Sequence, residues 1–295
     1  MAYKGGRFIY HTRYVWELCT ETYGEWMKDN APQLGAALAF YTIFSLAPLF
    51  IIIMAVIGYF LGKESVQAYL IIQMAEFVGR NNAQNIMTMI QRSYTPGSEI
   101  YATIIAFIIM LFGSSLVVVM LKDAINTMWG AKQYSSGIIN AIKDRLISCI
   151  IVLLFTFVSL LLMISSSLLA AFKLYLSNSV HIPMILFQAG DIFVSLLILT
   201  LIFAVLYKFL PDVHISWRDV WVGAVVTAIL FTVGKIILGS YIGRSSISSA
   251  YGAAGSLVVV LLWVYYSAQI IFVGAEFTQV YARKCGREIR PRGEG

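Results

Sequence analysis

The sequence predicts an all-α polytopic membrane protein, a six-helix transmembrane bundle with amphipathic helices at its interfaces. Composition is the first reason: 59% of the 295 residues are hydrophobic and 12% are charged. Soluble chains usually carry about 25% charged residues, and the mean hydropathy here is +0.80. The second reason is one stretch, "AALAFYTIFSLAPLFIIIMAVIGYFLG", inside a run of 33 neutral positions between Asp29 and Lys63. As a helix that run would reach roughly 50 Å, whereas about 20 apolar residues cross the hydrocarbon. The third reason is repetition. Breaking the chain at its charges leaves six such segments, about Leu34–Leu61, Ile100–Leu121, Leu146–Phe172, Ile185–Phe209, Val220–Tyr241 and Ala253–Val280. With no water to satisfy backbone groups, each must be helical in lipid.

Residues 1–33 form an N-terminal segment that is expected to lie on the cytoplasmic surface. Val15, Leu18, Cys19, Thr22 and Trp26 recur at helical spacing, with Glu17, Glu21 and Glu25 on another face. That pattern predicts an amphipathic interfacial helix. Lys4, Arg7 and Arg13 precede no short apolar core with a small-residue cleavage site, so the first span is expected to stay in the mature protein. Residues 34–281 hold the six spans. In the first, Pro48 removes a backbone donor and frees the carbonyl of Phe44. Tyr41 and Ser45, one turn apart, are placed to help satisfy the break, and a kink is expected there.

Between the first two spans, residues 63–98 read as a helical insertion on the outer face. Val66, Leu70, Met74 and Phe77 repeat at helical spacing, and Ile86, Met89 and Ile90 follow "GRNN". A hairpin, a lid and a plain connecting helix pair all fit that pattern. The stretch "GRSSISSAYGAAGS" from Gly243 to Ser256 fits either a flexible outer loop or backbone dipping toward a water-filled cavity. "GYFLG" from Gly58 and "GSYIG" from Gly239 are Gly-x3-Gly patterns, which are weak signals for close helix contact. Residues 282–295 form a basic tail.

Lys and Arg counts set the orientation. Fifteen fall in the N-terminal segment, the second-to-third connection, the fourth-to-fifth connection and the tail, and six fall on the other side. Both termini are therefore expected in the cytoplasm, which requires an even number of spans. The same bias accounts for the net charge of +6 without a nucleic-acid partner. Cys19, Cys149 and Cys285 have no ligand-like spacing, so neither a disulfide framework nor a metal site is expected. No cofactor motif is visible, and no P-loop or catalytic triad spacing.

Ionisable residues inside spans are costly and mark function by default. Asp191 and Lys235 both fall about 9 Å from the outer ends of their spans at helical rise. They are expected to pair in the bundle interior, or else Lys235 snorkels alone to the interface. Gln188, Asp191 and Ser195 form a polar stripe, and Ala224, Ala228, Lys235 and Gly239 a mostly small-residue face. Near the cytoplasmic end of the sixth span, Glu276 shares a face with Tyr266 and Gln269. Lys122 and Asp123, with Lys143, Asp144 and Arg145, are expected at similar depth as an inner charge layer, functional or structural.

Three stretches make the chain resemble the YihY/virulence factor BrkB family of bacterial inner-membrane proteins. They are "AALAFYTIFSLAPLF" in the first span, "WRDVWVGAVVTAILFTVGKIILGSYI" in the fifth, and "YGAAGSLVVVLLWVYYSAQIIFVGAEF" in the sixth. The resemblance implies six spans, a plasma-membrane location and signature positions at Pro48, Lys235, Tyr251, Gly252 and Glu276. It also implies a transporter or permease role for lipid, amphipathic or small solute substrates. An older family label, tRNA-processing ribonuclease, is not supported by the residues. His11, His181 and His214 are scattered, and no basic and aromatic platform for RNA is visible. The expected activity is thus secondary transport rather than catalysis, along a path lined by Asp191, Lys235, Gln269, Gln188 and Glu276. Proton coupling through Asp191 or Glu276 is one option. Membrane lipid is the expected partner, with self-association open. The alternative is a scaffold that oligomerises and organises lipid or other proteins.

Overall fold

The structure, a computed structural model, describes residues 5–45, 63–92, 116–131, 184–244, 255–287 and 289–291. The third expected span and most of the first two lie outside these residues, as do Pro48, Lys143, Asp144 and Arg145. Helix α1 is Gly5–Lys28, and α2 is described over 31–45. Helices α3, Lys63–Val78, and α4, Arg80–Arg92, follow. Helix α5 is described over 116–128. Then come α6, Met184–Phe209, β1, Val213–His214, α7, Trp217–Arg244, α8, Gly255–Lys284, and β2, Arg290–Pro291.

Three described helices are long and apolar enough to cross a membrane, over Ile192–Phe209, Trp217–Ile242 and Gly255–Lys284. They coincide with the last three spans read from the sequence. Their outward faces carry large apolar side chains, among them Phe193, Leu197, Ile229, Val233 and Ile236. Water would penalise so long an apolar surface, whereas acyl chains would not. Helix α7 starts three residues before the expected boundary. Its first turn carries Arg218 and Asp219, charges that a hydropathy reading trims off, and the dipole of the helix N-terminus favours the Asp219 carboxylate there.

The chain divides into two units. The first holds α1, the end of α5, α6, β1, the first part of α7, the last part of α8, and β2. Here the all-α expectation is incomplete, because β1 pairs antiparallel with β2, Val213 opposite Pro291 and His214 opposite Arg290. Asn126 fixes the same turn. Its amide donates to Asp212 Oδ2 at 3.3 Å, and its carbonyl oxygen accepts from the Asp212 backbone N–H at 2.8 Å. Lys208 donates to the Ile215 carbonyl at 2.6 Å, with its ammonium 5.4 Å from the Trp217 ring centroid.

The second unit holds α2, α3, α4, the start of α5, the end of α7 and the start of α8. The expected insertion is a helix pair. Gly79, at φ +81°, makes the reversal because a left-handed backbone suits glycine. Buried Asn82 then donates to the Val78 carbonyl at 2.8 Å. Val78 and Ala83 pack with Ile242 of α7 and Val259 of α8, flanked by Met74, Leu238 and Trp263. Leu70 and Met87 form a second small cluster. Met89, expected on the apolar face, is exposed, and Met87 takes the inward position.

Candidate functional site

The site is built where α1 runs alongside the last turns of α8 in the first unit. Helix α1 lays its acids against the basic end of α8. Lys284 Nζ meets Glu17 at 3.8 Å and Glu21 at 3.1 Å, and also lies 5.9 Å from the Tyr14 ring centroid. Arg283 pairs with Glu21 and, at 3.1 Å, with Glu25. The two helices are therefore antiparallel there, and positions later in α1 match positions earlier in α8. Partial burial works to raise the Glu21 carboxyl, but hydrogen bonds from Arg283 and Lys284 outweigh it and hold the group below its ordinary value. For Glu25 the Lys28 hydrogen bond leads, burial opposes it, and Arg283 adds to the lowering.

The acidic face is turned toward α8 rather than to solvent, and Leu18 and Thr22 are buried beside it. Val15, Trp16, Tyr23 and Met27 are exposed, with Tyr23 stacked on Trp26 at 5.8 Å between centroids. An aromatic exposed face suits the headgroup layer.

One step further along the ladder, the complementarity fails. The residue across from Asp29 is Glu276, so an acid meets an acid. Glu276 has 0% of its surface exposed, and neither of its carboxyl oxygens has a hydrogen-bond partner at bonding geometry. Buried Thr22 also leaves its hydroxyl without one. Asp29 is half-buried at the end of α1, and Asn30 follows with φ 53°, turning the chain into α2. Burial pushes the Asp29 carboxyl up, with Glu25 adding to the rise, while Glu276 and Lys28 pull the other way.

Behind Glu276 the wall is closely packed. Gly223 and Thr227 on α7 face Thr278 and Gly274 on α8, each glycine opposite the other helix's threonine. A Cβ at Gly274 would collide with Thr227 Oγ1 and Tyr207 OH, and one at Gly223 with Thr278 Oγ1. Each threonine turns its proton to its own helix. Thr227 donates to Gly223 O at 2.8 Å and Thr278 to Gly274 O at 2.7 Å. The hydroxyl of Tyr207 on α6 therefore donates to Thr227 Oγ1, at 2.9 Å. Trp129 closes the seam, its indole N–H donating to the Ala275 carbonyl at 2.9 Å. Each interaction satisfies a polar group that a membrane interior would otherwise leave costly.

The other expected site residues are spread over several elements. Gln269 and Tyr266 lie on α8 within the second unit. Gln269 donates to the Ala31 carbonyl at 3.3 Å and occupies the space a Cβ at Gly35 would need, while the Tyr266 ring lies against Gly234. Lys235, Lys122 and Asp123 are half-buried in the same unit, and each takes part in an interaction. Beside Glu276 lies the acid Asp29, while Lys143, Asp144 and Arg145 of the expected charge layer lie outside the described residues. Asp191 and Gln188 lie on α6, but their side chains, and hence the Asp191–Lys235 pair, lie outside the described residues. At the first span, Ser45 donates to the Thr42 carbonyl at 2.8 Å, so its proton is not offered to Phe44, and Tyr41 is exposed against the Phe40 ring. Ala224 and Ala228 are fully buried, as a small-residue face requires. Gly239 meets nothing within 4 Å, so close contact is made at Gly223, Gly234 and Gly274 instead.

Asp29 and the glycine–threonine seam are the residues that sequence reasoning missed. Asp29 is the last charge before the 33-residue neutral run, which places it at the threshold of the apolar region. The seam shows in the sequence as Gly-x3-Thr twice, at 223–227 and 274–278. Among the described residues, no cluster of three His, Cys, Asp or Glu side chains could hold a metal ion.

The model of the virulence factor BrkB family matches residues 22–294. A UPF0761 membrane protein of Ralstonia nicotianae is 24% identical over 84% of this chain and 55% of its own length. One of Chromobacterium violaceum is 26% identical over 89% of this chain and 61% of its own. A third, of Mannheimia succiniciproducens, is 37% identical over 30% of this chain and 31% of its own. The chain thus spans little more than half of the first two relatives. No solved structure matches it.

Proposed function

The chain belongs to the virulence factor BrkB family, and we propose that it is a six-span transport protein of the bacterial inner membrane. It works without ATP and moves a lipid, amphipathic or small solute substrate, with both termini in the cytoplasm. The observation that carries this reading is Glu276, fully buried, its carboxyl oxygens without a hydrogen bond at bonding geometry, within an apolar helix long enough to span. An ionisable group costs too much in that setting to serve as filler, and packing alone would be better served by leucine. Partners are membrane lipid and the substrate, with no nucleic acid.

Reconstitution in liposomes tests the reading. Efflux of labelled lipid and of small solutes is followed for the wild type and for Glu276→Gln. Transport that the wild type supports and the variant loses, with folding intact, is the expected result. Equal rates in wild-type, variant and empty liposomes would refute it. The second reading is a scaffold that oligomerises, and the closed glycine–threonine seam favours it, because such packing suits a rigid body. Under that reading the wild type is inert in the same assay and self-associates in the bilayer.

A further inference from the structure

We propose that Glu276 and Asp29 form a two-carboxyl site that holds a single exchangeable proton. The ladder between α1 and α8 sets the geometry. Three acids of α1 meet two bases of α8, and then Asp29 meets Glu276. Four residues beyond Glu25 on α1 and seven before Arg283 on α8, the antiparallel course of the two helices sets Asp29 beside Glu276. Glu276 has no exposed surface and no other hydrogen-bond partner. Two adjacent carboxylates out of water cannot both be ionised at modest cost, whereas one proton between them gives an O–H···O⁻ contact. Glu276, the more buried, is the natural holder of the proton, and half-buried Asp29 the acceptor with a route to water.

Among the described residues, the charged and titratable groups around the pair already have partners of their own. From α1 the charged groups near the pair are Glu25 and Lys28. Glu25 already meets Lys28 at 2.8 Å and Arg283 at 3.1 Å. From α6 the titratable neighbour is Tyr207, whose proton goes to Thr227. The acid of α7, Asp219, is paired with Arg287 at 2.5 Å. Among the described residues, none of these is left to neutralise Glu276. Such a pair titrates as a unit, so its behaviour belongs to both residues.

This rests on the transport reading only for the use made of the proton, and the test is independent of transport. Difference infrared spectra of the full protein in lipid are recorded from neutral to alkaline pH. We expect a protonated-carboxyl C=O band at neutral pH that bleaches on alkalinisation, shifts in heavy water, and responds to carbon-13 labelling of glutamate but not of aspartate. Glu276→Gln removes it. Asp29→Asn keeps it but moves the bleaching midpoint to lower pH by about one unit or more, because the neighbouring negative charge is gone. A missing glutamate band at neutral pH would overturn the proposal, and so would a midpoint that Asp29→Asn leaves in place. The labelling and Asp29→Asn arms stand even if Glu276→Gln does not fold. The band in a protein that moves nothing in liposomes keeps the proton site and removes the transport reading. Movement without the band does the reverse.

Discussion

Replacing Gly274 by alanine tests the seam most sharply. The added methyl would meet Thr227 Oγ1 and Tyr207 OH, both held by the 2.9 Å Tyr207–Thr227 hydrogen bond. Overpacking a closed core costs about 1–3 kcal/mol. Pushing apart a buried hydrogen-bonded pair costs about 1–3 kcal/mol more. Alanine's better helix propensity returns up to about 1 kcal/mol. The net loss is about 3 kcal/mol, within a range of roughly 1–6. Gly239→Ala is the control, since nothing lies within 4 Å of it, and it should be neutral or stabilising by up to about 1 kcal/mol. Unfolding titrations in mixed micelles measure both. Adding Thr227→Ala to Gly274→Ala frees part of the space, so the double variant should show a coupling of about 0.5–3 kcal/mol. If Gly274→Ala matches the wild type while Gly239→Ala is the damaging change, the seam is not a close contact and the reasoning fails.

Asp29→Asn should raise the melting temperature at neutral pH. Burial raises the Asp29 carboxyl in the folded state, so ionising it opposes folding and the stability it lends at low pH is lost as pH rises through its folded value. The gain should fade toward pH 3.8, the group's ordinary value, and a deficit equal at every pH would contradict this. Glu21 and Glu25 have the opposite sign. Their lowered carboxyls contribute in full above the ordinary value of 4.5 and stop doing so as pH falls through the folded values. Each exposed pair is worth about 0.2–1 kcal/mol and is screened by salt, so limited proteolysis of α1 should quicken in acid and in high salt. Trp129→Phe keeps the ring but leaves the Ala275 carbonyl without its donor, a loss of about 1–3 kcal/mol that unfolding titrations would detect.

Span positions were legible because hydropathy is a local property. Trp217–Ile242 and Gly255–Lys284 lie where the apolar runs do. Which face of α1 packs inward was not legible: of the apolar set read from the sequence, Leu18 and Thr22 are buried while Val15 and Cys19 are exposed. Its orientation is decided by Arg283 and Lys284, more than 250 residues away, and no local periodicity carries that information. Glu276 stood out as a charge in an apolar run, but its partner did not. The charge layer expected at its depth was Lys122, Asp123, Asp144 and Arg145, of which the last two lie outside the described residues; Asp29, brought beside Glu276 by the antiparallel course of α1 and α8, was not among them. The close helix contact was sought in Gly-x3-Gly. The structure uses Gly-x3-Thr, in which the threonine hydroxyl returns to its own helix and leaves a smooth surface for the opposing glycine.

The short pairing of β1 with β2, together with Arg287 on Asp219, bears on how membrane topology can be mapped in this protein. Reporter fusions are commonly made by cutting a chain just after a helix and attaching an enzyme. A cut after Lys284 would strip Asp219, 1% exposed, of its guanidinium and β1 of its only described strand partner. Such a fusion would report on a disturbed protein. Joining the reporter after residue 292 would leave that clasp shut.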